Sequence, residues 1–203
     1  MSGEHYFSEQ PVGEFKTKTI FTSINGERVE LFTAGSTFSP DHMDTGTAIL
    51  LEHSENAPNS GHLLDLGCGW GPIALSLAAA RPEATVWAVD VNERALELTR
   101  MNAEKLGLSN IRTVLPAEVP NDIRFSGIWS NPPIRVGKAE LHAILETWIP
   151  RLNPGGEAWL VVAKSLGAES LQKWLGERWP GAQVSTATIA KGFRVIAFVA
   201  ASA

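Results

Sequence analysis

The chain has 203 residues, 44% of them hydrophobic and 19% charged, a composition that supplies one well-buried core and excludes disorder. Its formal net charge of −5 argues against indiscriminate nucleic-acid binding through bulk charge, and its one cysteine, Cys68, excludes an internal disulfide and fits a reducing cytoplasm. The longest apolar stretch, about residues 73–80, is far short of a membrane span, and residues 1–10 show no apolar signal core.

In chain order, Phe15–Ile24 and Arg28–Thr33 flank Asn25-Gly26, the turn pair that most strongly predicts a β-hairpin. A loop rich in Gly, Ser, Thr and Asp follows over Ala34–Asp44, then a helix capped by Asp44 or Thr45. Ser54–Gly61 is polar, contains Pro58 and reads as a linker, so residues 1–60 are expected to form a hairpin-and-helix extension packed on a catalytic domain of residues 61–203. From there strands at Leu63–Leu66, Thr85–Asp90, Ile111–Leu115, Phe125–Ser130 and Glu157–Ala163 alternate with helices at Pro72–Arg81, Glu93–Leu106, Ala139–Leu152 and Ala168–Arg178. Such alternation, with continuously apolar strands, predicts a parallel sheet covered on both faces. Only Ala190-Lys191-Gly192 separates the last two strands, Gln183–Ile189 and Phe193–Ala200, which is too short for a parallel crossover and predicts an antiparallel hairpin.

Asp65-Leu66-Gly67-Cys68-Gly69-Trp70-Gly71 follows the first strand of the alternating region, at the crevice where open α/β sheets bind ligands. Asp90 closes the second strand, where a carboxylate can accept ribose hydroxyls, and Asn92 caps the helix after it. A glycine turn with an acidic strand end serves nucleotide cofactors in general, so NAD and S-adenosylmethionine (SAM) both stay open. Two details favour SAM. Asp65 precedes the glycines, within reach of the cationic amino-acid end of that cofactor, and the glycine spacing departs from G-x-G-x-x-G. A mostly parallel seven-stranded sheet ending in an antiparallel hairpin also separates a class I, Rossmann-like SAM-dependent methyltransferase from a plain dinucleotide-binding fold. Glu118, after the third strand, is either an acceptor for the adenine amino group or a solvated loop carboxylate. Cys68 reads as a packing residue, since nothing nearby lowers its pKa, and Trp70 as a side chain at the cleft edge. His5, His42, His53, His62 and His142 show no metal-ligand spacing, so no metal is expected.

Asn131-Pro132-Pro133 ends the strand Phe125–Ser130. An exocyclic amine is a poor nucleophile because its lone pair is delocalised, and a site improves it by accepting both N–H hydrogens. The Asn131 side-chain oxygen supplies one acceptor and the Pro132 carbonyl the other, on a backbone stiffened by consecutive prolines. Methyl transfer needs alignment more than acid–base help, so the absence of a catalytic His or Cys is no obstacle. Arg135, Lys138, Lys164, Lys191 and Arg194 fall near strand C-ends, where they either line one mouth or lie scattered.

The pair Asp-Leu-Gly-Cys-Gly-Trp-Gly-Pro-Ile (65–73) and Ser-Asn-Pro-Pro-Ile-Arg-Val-Gly-Lys (130–138) resembles the methyltransferase small-domain family, which includes the 16S ribosomal RNA guanine-N2 methyltransferases and shorter single-domain relatives. The resemblance extends to His5-Tyr6-Phe7-Ser8, Phe38-Ser39, Asp44-Thr45-Gly46-Thr47 and Lys191-Gly192-Phe193-Arg194, nearly the whole chain. It implies SAM binding by Asp65, Gly67, Gly69, Asp90 and Glu118, catalysis at Asn131, Pro132 and Pro133, and help from Phe38, Asp44 and Thr47 in closing the cofactor pocket. Asn92 joins the cofactor candidates; Ile134, Arg135, Lys138, Lys164 and Arg194 are the substrate candidates. Two departures bear on the substrate. Ile134 stands where amino-methylating enzymes usually carry a stacking Phe or Tyr, a platform worth about 1–3 kcal/mol that Phe38 or Trp70 would have to replace. The chain is also too short for the second, degenerate domain of the larger ribosomal enzymes. The expectation is methylation of a guanine amino group in small-subunit ribosomal RNA, presented as a flipped or unpaired base. A protein glutamine, transfer RNA, a small-molecule amine or a silent SAM-binding module are alternatives, and an NAD-linked oxidoreductase is weaker still, because the only tyrosine is Tyr6.

Overall fold

The computed structural model describes residues 16–35, 37–133 and 137–202. The His5-Tyr6-Phe7-Ser8 motif, Phe15, Ile134 and Arg135 lie outside them.

Two strands, β1 (Thr17–Ile24) and β2 (Glu27–Ala34), pair antiparallel across Asn25-Gly26, both at positive φ as a tight two-residue turn requires. A short helix, α1 (Thr45–Leu51), follows. The main body runs β3 (Gly61–Leu66), α2 (Pro72–Ala80), β4 (Ala84–Val89), α3 (Glu93–Lys105), β5 (Ile111–Val114), β6 (Phe125–Ser130), α4 (Lys138–Trp148), β7 (Leu152–Ala163), α5 (Ala168–Arg178), β8 (Gln183–Ala190) and β9 (Phe193–Val199). Its seven strands lie in the order β5-β4-β3-β6-β7-β9-β8, with β9 antiparallel between β7 and β8 and the other neighbours parallel. The sequence expectation of a mostly parallel sheet with an antiparallel C-terminal hairpin holds; this is the class I methyltransferase topology. The chain winds to one side of β3 through β4 and β5, then crosses to the other side at β6. That reversal opens a crevice at the C-terminal ends of β3 and β6.

Side chains alternate across the sheet, so neighbouring residues of one strand feed different cores. Leu64, Leu66 and Ile128 pack with Leu141, Leu145, Trp148, Leu171 and Leu175 of α4 and α5. Leu63 and Trp129 face the other way, toward Ile49 and Leu50 of α1 and Ile73 and Leu77 of α2. A third cluster joins Ile20, Ile24 and Leu31 of the hairpin to Trp70, Leu75, Leu98 and Ala103. Asn102 of α3, fully buried, fastens it: its Oδ1 accepts from the Phe32 amide at 2.7 Å, and its Nδ2 donates to the carbonyls of Phe32 and Trp70, each at 2.9 Å.

Two boundaries differ from the sequence expectation by four or more residues, the others by at most two. The fourth helix ends at Trp148 rather than running to Leu152, because Pro150 cannot continue it and a 3-10 turn over Ile149–Arg151 intervenes. The following strand begins at Leu152, five residues before Glu157, and Asn153–Gly156 are absorbed by a register shift against Phe125 and Gly127. The stretch read as a linker also holds a 3-10 turn, Ser54–Asn56.

Candidate active site

At the end of β3 the backbone breaks into the glycine turn. Gly67 and Cys68 donate their amides to Val89 O at 2.8 and 3.1 Å, folding the turn over the end of β4. Gly71 has φ 99°, and a Cβ there would stand 2.9 Å from Thr99 Oγ1 on α3, so both conformation and close approach demand glycine. Thr99 in turn donates to Gly69 O at 3.1 Å.

Asp90 organises the opposite wall. Its Oδ2 accepts from the Gly69 amide at 3.0 Å and its Oδ1 from the Asn92 amide at 2.9 Å, while Asn92 caps α3 by accepting from the Arg94 amide at 3.0 Å. Burial raises the Asp90 pKa against these amide donors, which lower it. The Val91 amide is a third donor, and the carboxylate, with about four lone-pair sites, keeps room for a further donor such as a ribose hydroxyl.

Asp65 is fully buried. Its Oδ2 accepts from the Ala74 amide at 2.9 Å in the first turn of α2, but its Oδ1 has no partner. Burial, opposed by the Ala74 amide and assisted by Asp90, pushes its pKa up to about 8. An orphaned, desolvated carboxylate oxygen beside a glycine turn calls for a cationic donor, which the ammonium group of SAM carries. The residues present therefore fit that cofactor.

Next to this turn lies the end of β6. Asp65 pairs with Trp129 across the β3–β6 ladder, and Ser130 Oγ donates to Leu66 O at 2.6 Å, tying the start of Asn131-Pro132-Pro133 to the start of the glycine turn. Pro132 is buried. The Asn131 Nδ2 donates to Asp44 Oδ2 at 2.8 Å and to Thr47 Oγ1 at 3.0 Å. Asp44 caps α1, its Oδ2 also accepting from the Thr47 amide at 3.1 Å. The start of β9 packs at the same corner: a Cβ on Gly46 would meet both Asp44 Oδ2 and Phe193 Cε1 at 2.9 Å.

Sequence reasoning includes Ser130, Gly46 and Phe193 in its motifs but gives none of them a role, and the packing of Phe193 beside Gly46 has no local signal. Of the two caps the sequence offers, Asp44 and Thr45, Asp44 is the one that caps α1, and its second partner, Asn131, lies 87 residues away.

The remaining candidates fall in varied places. Glu118 is exposed, and its Oε2 accepts from the Leu115 amide at 2.8 Å, capping the 3-10 turn Pro116–Glu118. Phe38 is 47% exposed on the loop before Asp44. Trp70 does not stand at the cleft edge: it is 2% exposed, packed under the hairpin with its indole N–H donated to Ser39 O at 3.2 Å, and offers no stacking surface. Cys68 is buried, and burial together with Asp90 and Asp65 raises its thiol pKa, as a packing role requires. Lys138, Lys164 and Lys191 are exposed, and none pairs with a carboxylate among the described residues. Lys138 begins α4 with Nζ 3.5 Å from Ser170 Oγ, and the Lys164 amide donates to Gly192 O at 2.8 Å, beside Lys191. Arg194 is half-buried, its Nη1 donating to Gln172 Oε1 at 2.6 Å, so it braces β9 against α5 rather than projecting freely. No group of three or more potential metal ligands occurs among the described residues, and no helix there is long and apolar enough to cross a membrane.

Residues 28–197 match the sequence model of the methyltransferase small domain. The chain belongs to that family. It is 36% identical over 196 residues to the uncharacterized protein YbxB of Bacillus subtilis (strain 168), covering 95% of this chain and 96% of that protein. It is 29% identical over 192 residues to ribosomal RNA small subunit methyltransferase C of Acinetobacter baumannii (strain AYE), covering 88% of this chain and 53% of that protein. Among solved structures, a T. thermophilus 16S rRNA N2 G1207 methyltransferase (RsmC) in complex with AdoMet and guanosine superposes with a TM-score of 0.77 at 24% identity, covering 94% of this chain and 52% of that one. That likeness shows the fold. The chain thus spans about half the length of the methyltransferase C proteins it matches and nearly all of YbxB. Like the other methyltransferase small-domain proteins, it is a SAM-dependent methyltransferase.

Proposed function

We propose that the chain methylates an exocyclic amino group, guanine N2 of small-subunit ribosomal RNA, from the end of β6. The observation that carries this reading is the Asn131 side chain: both its amide hydrogens are taken by Asp44 and Thr47, which leaves its oxygen as an acceptor beside the glycine turn. SAM, when bound, supplies an electrophilic methyl group. Asp65 would hold its ammonium, Asp90 its ribose hydroxyls and Glu118 the adenine amino group, while Gly67, Gly69 and Asn92 would shape the surface between. Asn131 Oδ1 and the Pro132 carbonyl accept the two N–H hydrogens of the target amine and so aim its lone pair. Forming the N–C bond would break the sulfur–methyl bond of SAM, leave S-adenosylhomocysteine and release one amine proton to solvent. Pro133 restricts the preceding Pro132 to extended backbone and so fixes the direction of its carbonyl. Residues 1–60 act as an extension of the catalytic domain, residues 61–203, and bring Asp44 and Thr47 to it.

The substrate reading draws support from the methyltransferase C relatives, whose name specifies small-subunit ribosomal RNA. Phe38 is the exposed aromatic left to stack on a flipped base once Trp70 is buried. Lys138, Lys164 and Lys191, which pair with no carboxylate among the described residues, together with Ile134 and Arg135, supply local phosphate and base contacts that a net-acidic chain needs for RNA, in the cytoplasm where ribosomes are assembled. The test is tritiated methyl transfer from SAM into small ribosomal subunits, naked ribosomal RNA, transfer RNA and protein fractions from cells lacking the enzyme, with Asn131→Ala as control. Label confined to the ribosomal fractions and lost in Asn131→Ala is the expected outcome. Label in protein or transfer RNA overturns the substrate.

A further inference from the structure

We infer that Asp44 and Thr47 are positioning residues for Asn131, holding its amide in the one orientation that can orient an amine, rather than walls of the cofactor pocket. The inference rests on the reading of Asn131 as the acceptor for the target amine.

An asparagine side chain has two faces of opposite character. Rotated by half a turn about its last bond, Asn131 would offer two donors to an amine that itself brings two donors, and the site would repel its substrate. The neighbours forbid that rotation. A carboxylate only accepts, so Asp44 Oδ2 at 2.8 Å can face nothing but the amide nitrogen. The Thr47 hydroxyl takes the second hydrogen at 3.0 Å. With both donors engaged, the side chain has a single free polar atom, Oδ1.

The partner matters for strength as well as direction. A hydrogen bond to a charged acceptor draws density from the N–H toward the amide oxygen, which makes Oδ1 a better acceptor than it is in a neutral pair. Asp44 is itself held. Its Oδ2 accepts from the Thr47 amide at 3.1 Å, and the absence of a side chain at Gly46 leaves room beside it, where a Cβ would stand 2.9 Å from both Asp44 Oδ2 and the Phe193 ring. The loop leading to Asp44 is pinned by Thr33 Oγ1 to Pro40 O at 2.6 Å and by Ser39 Oγ to His42 O at 2.7 Å. Three elements thus converge on one side-chain orientation: the end of β6, the cap of α1 and the loop after β2.

Asp44→Asn separates the two roles. Asparagine caps a helix as well as aspartate does, so α1 is kept, but the new amide can offer Asn131 a donor as readily as an acceptor. The expected result is a fall in kcat of at least 10²-fold with the Kd for SAM, by calorimetry, within about twofold of wild type. Thr47→Val is expected to lower kcat about tenfold and Thr47→Ser to restore it. An activity-independent readout follows the Asn131 side-chain amide signals by NMR, identified by their loss in Asn131→Ala: slow-exchanging in the wild type, fast-exchanging in Asp44→Asn. A raised Kd for SAM with an unchanged single-turnover rate at saturating SAM overturns the inference and makes Asp44 a cofactor wall. If the wild type methylates no acceptor, the proposed function fails by itself. The amide signals still decide the lock, and unchanged signals in Asp44→Asn overturn it.

Discussion

Replacing Asp65 by asparagine is expected to stabilise the cofactor-free protein while abolishing tight SAM binding. The folded-state pKa of about 8 lies far above the ordinary 3.8 because the carboxyl is fully buried with one oxygen unpaired. Between those values the unfolded chain gives up the proton and the folded one keeps it, so stability falls as pH rises from near 3.8 toward 8. At pH 7 that window spans about three units, a ceiling of ~4 kcal/mol at ~1.4 kcal/mol per unit. Asparagine removes the ionisation cost but leaves an amide N–H₂ unsatisfied where Oδ1 now stands, which costs about 1–3 kcal/mol. The net expectation is a gain of about 1–3 kcal/mol at pH 7, a rise in Tm of roughly 2–10 °C for a chain of this size. At pH 4 the wild-type carboxyl is about half protonated even when unfolded, so the gain should vanish or reverse. SAM affinity should fall about 30–100-fold, the loss of one charge-assisted contact. Thermal unfolding at both pH values, with calorimetry for SAM, measures all three. An Asp65→Asn protein less stable than wild type at pH 7, or one binding SAM with wild-type affinity, would refute the assignment of that orphaned oxygen to the ammonium group.

Two further perturbations probe the scaffold and the surface. Asn102→Ala strands the Phe32 amide and two carbonyls at a fully buried position, and should cost about 2–4 kcal/mol, seen as a drop in urea midpoint at constant m; a loss under ~1 kcal/mol would mean the hairpin is held by its apolar face alone. Reversing Lys164 and Lys191 to glutamate together should weaken RNA binding without altering SAM affinity, and should flatten the slope of log K against log salt by about two. An unchanged slope would show that phosphates pass elsewhere.

The local signals in this chain are those whose cause sits within a few residues. Asn25-Gly26 makes a hairpin because both positions need positive φ, and the two residues between β8 and β9, Lys191 and Gly192, permit only an antiparallel return. Strand–helix alternation with apolar strands requires a covered parallel sheet, and the glycine turn and Asn-Pro-Pro announce themselves by residue type alone. Where local and long-range demands compete, the reading from sequence slips. The bulged start of β7 depends on β6 beside it, and Trp70, placed by its neighbours at a cleft, is claimed by a hairpin that begins more than forty residues earlier. The Asn131 orientation belongs wholly to the second kind. Asp44 and Thr47 meet it from 87 and 84 residues away, and Phe193 closes on Gly46 only because β9 returns between β7 and β8. Composition and spacing determine which chemistry the residues can perform. Which way an amide faces, and which oxygen is left unpaired, is decided by strand order, because hydrogen bonds act over about 3 Å and sequence separation carries no information at that range.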